Sequence, residues 1–131
     1  MASELRVTTI ANNAGTESVD STYVINGTAK ASAITGYSSG TPQTTKLFNV
    51  SSLSDTGTGR MGVNFTSAFD SVNYTKIGTA GLNESADRYC LVHQDAANSS
   101  SASVAQMLFV NHNNAVDDPT KAHLIFHGDL A

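Results

Sequence analysis

The segment from Arg60 to Thr66 constrains this chain more than any other stretch. Met61, Val63 and Phe65 alternate with Arg60, Gly62, Asn64 and Thr66. That period of two turns one face of an extended strand toward a core and the other toward water, whereas a helix repeats every 3.6 residues. Ahead of it stands Asp55-Thr56-Gly57-Thr58-Gly59, a tight turn in which Gly57-Thr58-Gly59 reverses the chain, and ahead of that Leu47-Phe48-Asn49-Val50 leading to Leu53. Gly62 is the odd member: a missing side chain inside a clear strand means either a close backbone approach or a bulge.

Short alternating runs recur along the chain. Leu5 to Ile10 reads as a strand ending at the turn cluster Asn12-Asn13-Ala14-Gly15, and Thr22 to Ile25 as a second strand stopped by Asn26-Gly27, a strong hairpin signal. Ala29 to Ile34 continues as a third strand, and Thr35 to Gln43 is a loop by composition. After a turn at Phe69-Asp70 come strands at Tyr74 to Thr79, Arg88 to His93, Val104 to Val110 and Ala122 to Phe126, with a polar loop from Gln94 to Ser101. Helical periodicity is nowhere sustained. The expected fold is all-β, a jelly-roll-like sandwich of about eight short strands over residues 32–131, preceded by an N-terminal segment, 1–31, for docking or trimer contact.

Composition supports this and removes several functions. At 131 residues the chain suits one domain. Only 14% of it is charged, against about 25% in ordinary globular proteins, with Ser, Thr and Asn taking the place of charge. A net charge of −4 and seven basic residues standing apart leave no patch for nucleic acid. No run reaches the roughly 18 apolar residues of a membrane span. MASELRVTTI lacks the apolar core of a signal peptide, so synthesis in a cytoplasm is expected. The lone Cys90, flanked by Tyr89 and Leu91-Val92, reads as a buried strand thiol.

A search for chemistry returns no catalytic constellation. His123 and His127 share one strand face but would lie about 13 Å apart at roughly 3.3 Å per residue, too far to share a metal within one chain. His93 and His112 lie near loops. The serine-rich loops hold no G-x-S-x-G elbow. Acidic neighbours are limited to Asp117-Asp118, which with Pro119 reads as a turn before the last strand, and the dispersed Glu84 and Asp87. Calcium-loop, dinucleotide and phosphate-loop motifs are absent. The expectation is therefore no enzyme, no cofactor and no metal. A surface of Asn, Thr and Ser suits sugar binding, with Tyr as a stacking plane, or a soluble shell whose apolar faces are reserved for partner subunits.

Phe48-Asn49-Val50-Ser51-Ser52-Leu53, followed by DTGTGRMGVNFTSAFDSVNY to Tyr74, resembles a segment of bacteriophage tail-fibre and short virion-surface proteins. Leu5 to Ile10 with Ala14-Gly15-Thr16 is similar to the start of such proteins. Val24 to Ala31 also matches, with Ser32 where an aromatic residue is usual. Phe126 to Ala131 is similar to their F-G-D-L-A ending, with His127 inserted. The resemblance implies a β-sandwich that forms homotrimers in a virion assembled in the host cytoplasm, with other virion proteins as partners and no membrane insertion. It implies particle docking through the N-terminal segment, to which we assign Leu5, Val7 and Ile10. Receptor contact, probed at a host-surface glycan, is then expected from the loops: Tyr37, Ser38, Thr41 and Gln43 in one, Gln94 and Asn98 in the other, with Tyr37 and Tyr89 as the aromatic candidates. A capsid decoration protein, trimeric on the head, is the alternative.

Overall fold

Met61, Val63 and Phe65 are all buried, and the strand they define is the centre of one layer of the fold. The computed structural model describes residues 7–81 and 89–131, the strand at 89–94 by its backbone alone. In chain order the elements are β1 (Thr9–Ala11), β2 (Ser18–Asp20), α1 (Ser21–Gly27), β3 (Ala31–Ser38), β4 (Thr41–Phe48), β5 (Val50–Gly57), β6 (Arg60–Phe65), β7 (Thr75–Gly81), β8 (Tyr89–Gln94), β9 (Val104–Asn111) and β10 (Lys121–His127).

Strands β3 to β10 form one antiparallel sheet in the order β4-β3-β10-β7-β8-β9-β6-β5. The run β10-β7-β8-β9 is a Greek key, with the fourth strand returning beside the first. The sheet folds over itself at two places. On one side β7 and β8 share only the pairs Ala80↔Cys90 and Gly81↔Tyr89. On the other, β4 runs directly into β5 through Asn49, whose φ of 52° turns the corner. The result is a β-sandwich: β4, β3, β10 and β7 face β5, β6, β9 and β8.

Alternation fills the space between the layers. Ala31, Ala33, Thr35 and Tyr37 of β3 with Ala122, Leu124 and Phe126 of β10 meet Met61, Val63 and Phe65 of β6 and Ala105, Met107 and Phe109 of β9. At one end Phe69 stacks on Tyr74, centroids 4.4 Å apart, and Phe65 stands edge-on to Phe69, Tyr74 and Phe126. Phe69 is thereby tucked under Tyr74. The C-terminal residues close this end: Asp70 N–H donates to Asp129 and Ala131 N–H to Ala68.

The turn at Gly57 to Gly59 reverses the chain between β5 and β6 as expected, with φ of 129° and 61° at the two glycines. Gly62 is a close approach and not a bulge: register runs unbroken through it on both sides, and its missing side chain leaves room for Ser54 and Gln106.

Two expectations fail. Residues Thr22 to Ile25 do not form a strand with a hairpin at Asn26-Gly27; they lie in the short helix α1. A strand needs a partner, and β1 takes Ser18–Asp20 instead. The chain after it satisfies itself locally, Thr28 N–H donating to Val24 and the Lys30 ammonium capping the Ile25 carbonyl. Residues Thr35 to Gln43 are also not a loop. They carry the β3–β4 hairpin, whose two-residue turn at Ser39-Gly40 has φ of 51° and 74°, the positive pair that suits tight hairpins. Pro42 is tolerated because β4 is an edge strand.

Candidate functional site

The first expected contact group divides. Ser38, Thr41 and Gln43 are exposed around the β3–β4 turn. Tyr37 is not available as a stacking plane: it is only 6% exposed, its ring meets Phe109 edge-on, and its hydroxyl donates to the Arg60 carbonyl at 2.7 Å. Parity explains this, because Tyr37 shares the inward face with Ala31, Ala33 and Thr35. Burial, then the nearby carboxylates of Asp118 and Asp55, push its phenol well above the ordinary tyrosine range. Beside the turn, Gly36, Ser38, Gln43, Thr45, Thr120 and Lys121 line a shallow polar depression of about 450 Å³. Gly36 is required there, since a Cβ would fall on the Thr120 carbonyl oxygen as residues 119–121 cross the strand.

In the second group, Gln94 belongs to β8 and not to a loop; its side chain, like those of Tyr89, Cys90 and His93, lies outside the described residues, as do Leu5, Glu84 and Asp87. Asn98 is partly exposed, and its amide donates to Asp95 at 2.6 Å. Asp95 is the residue that sequence reading missed. It is 1% exposed, pairs with the Arg60 guanidinium and accepts the Ala97 N–H at 2.9 Å. Burial pushes its carboxyl up, but Asn98, Arg60 and Ala97 together hold it below the usual range. This loop is thus tied to β6 by an ion pair whose carboxylate is buried, which limits its freedom to adapt to a ligand.

The carboxylates of Asp117 and Asp118 serve backbone and side-chain turns. Asp118 accepts the Gly59 N–H and Asp117 accepts the Asn111 amide. Among the described residues no three His, Cys, Asp or Glu side chains converge as a metal site, and no helix is long and apolar enough to cross a membrane.

The two outer faces of the sandwich differ in kind. That of β5, β6 and β9 carries Ser52, Ser54, Arg60, Asn64 and Gln106, with Val104 and Leu108 of β9 half-buried among them. That of β4, β3, β10 and β7 carries a row in register, Phe48, Ser32, Ile125 and Ile77, apolar at every strand but β3, with Ile34 next to it. Phe48 is 57%, Ile77 54% and Ile125 41% exposed. Lys46, Lys121, His123 and His127 flank the row, and none of its described members is acidic.

Before the sandwich, the described stretch from Val7 to Asp20 is exposed. Every residue from Val7 to Asp20 lies open to solvent, Val7, Ile10 and Val19 among them, and Ile25 of α1 is exposed as well. β1 pairs with β2, and α1 packs against β2. No protein-family model, curated protein or solved structure matches this chain.

Proposed function

We propose that the chain is a structural subunit of a tailed-phage particle, of the tail-fibre kind, held in its assembly by the N-terminal arm with the sandwich turned toward a host-surface glycan. The observation that carries this reading is the arm itself. A two-stranded hairpin of three-residue strands is marginal in water without a third layer, and here it buries none of its residues from 7 to 20. Such a segment suits a protein built to be completed by a neighbour. The hydroxyl and amide groups of Ser38, Thr41 and Gln43, beside the polar depression, offer the hydrogen-bonding chemistry that a sugar needs. With Tyr37 in the core, that contact rests on hydrogen bonds without its ring.

The apolar outer row favours a second reading, a decoration protein seated flat on a capsid lattice, because it supplies a broad dry face. Labelling intact particles with antibody against the purified chain separates the two. Label at the tail supports the fibre reading. Label over the head overturns it in favour of decoration, and particles that never bind the antibody refute both.

A further inference from the structure

We infer that the arm of one copy covers the apolar outer face of β4, β3, β10 and β7 on a second copy of this chain. This rests on the reading of the chain as an assembly subunit and names the partner that completes it.

Three observations meet here. The sheet face is apolar where its alternation calls for polar residues: Phe48, Ile125 and Ile77 lie in one row, each far from buried. The arm exposes apolar side chains too, with Ile10 and Val19 directly paired across β1 and β2 and thus on one side of the hairpin. The two surfaces are also opposite in charge. Between Val7 and Asp20 the arm carries Glu17, while the sheet face carries Lys46 with His123 and His127. Both surfaces leave apolar side chains in water, and one sequence encodes both. Covering the face with a neighbour's arm removes both from water at once.

The test uses the full chain and two double variants that keep strand-forming side chains: Ile77→Thr with Ile125→Thr on the face, and Ile10→Thr with Val19→Thr on the arm. Sedimentation at micromolar concentration should show self-association of the parent chain, weakened about tenfold or more by either pair and weakened by added salt. Mixing the two variants should restore association in part, because each keeps the surface that the other has lost. Thermal melts of each variant confirm folding. A parent chain that stays monomeric overturns the inference. So does dissociation by the face pair alone, which means face-to-face pairing, and so does a mixture that fails to re-associate. Particle labelling is unaffected by any of these results, so failure here is distinct from failure of the assembly reading.

Discussion

Asn49 holds the sandwich closed at the β4–β5 corner, and replacing it tests that account. Its backbone sits at φ 52°, in the left-handed region. Its side-chain amide donates to the carbonyls of Lys30 at 3.0 Å and Ser67 at 3.1 Å, and its carbonyl oxygen accepts the Ser67 N–H at 2.7 Å. One side chain thus joins the start of β3, the corner and the segment after β6. Asn49→Ala removes all three bonds, each worth about 1 kcal/mol net. It also removes the short polar side chain that lets Asn adopt the left-handed region, which disfavours Ala by about 1 kcal/mol. Because Asn49 is only half-buried, water takes over part of the bonding, and the expected loss is about 3 kcal/mol. Asn49→Gly loses the same bonds but not the backbone preference, so it should retain about 1 kcal/mol relative to Ala.

Urea unfolding monitored by tyrosine fluorescence reads both values. The midpoint should fall in the order parent, Gly, Ala, with the slope unchanged. In a scan, Asn49→Ala should lower Tm by roughly 10 °C, taking about 3–4 °C per kcal/mol for a chain of this size. A loss below about 1 kcal/mol for Ala would show that the corner is held by strand pairing alone. Equal losses for Gly and Ala would refute the role given to the left-handed backbone.

Two further outcomes follow from contacts elsewhere. Gly36→Ala should destabilise far more than Gly62→Ala, by about 3 kcal/mol against about 1, because the new methyl meets the fixed backbone of Thr120 in one case and a rotatable Ser54 hydroxyl in the other; equal denaturation midpoints would refute the crossing at Gly36. Asp95 has its folded carboxyl held below its unfolded value of about 3.9, so its contribution is complete above that pH and is lost as pH falls through the folded value. Asp95→Asn should accordingly lose less stability than the parent as pH falls below about 4, and parallel acid melts of the two proteins would contradict this.

Legibility varied with how local each cause was. Met61, Val63 and Phe65 announced β6 because strand parity depends on near neighbours, and Phe69 under Tyr74 follows from a turn of five residues. Asn49 was visible as part of a strand, but its three bonds reach residues 18 and 19 positions away. Thr35 to Gln43 misled because small and polar residues can mean a loop or a strand crossed closely by another segment; here Gly36 lies under Thr120. The burial of Tyr37 was readable from the odd-position parity of Ala31 and Ala33, had the strand been extended past Ile34. Asp95 was not readable: its partner Arg60 is 35 residues distant, and a lone acid in a serine-rich loop looks solvated.

The same parity bears on what the sandwich does. In β10, Ala122, Leu124 and Phe126 point inward, so Ile125 must point out, and Leu124-Ile125-Phe126 is apolar on both sides of the sheet. Its register neighbour on β7, Ile77, is likewise exposed on the outer face. Runs apolar at both parities are characteristic of strands covered on both faces. A two-layer fold supplies one cover, and the arm of the same chain, exposed from Val7 to Asp20, does not supply the second. A solubility requirement alone would place Thr or Ser at Phe48, Ile77 and Ile125, as it does at Ser52 and Ser54 on the opposite face. The exposed Phe48, Ile125 and Ile77, more than any loop residue, are therefore the feature on which the proposed assembly role rests.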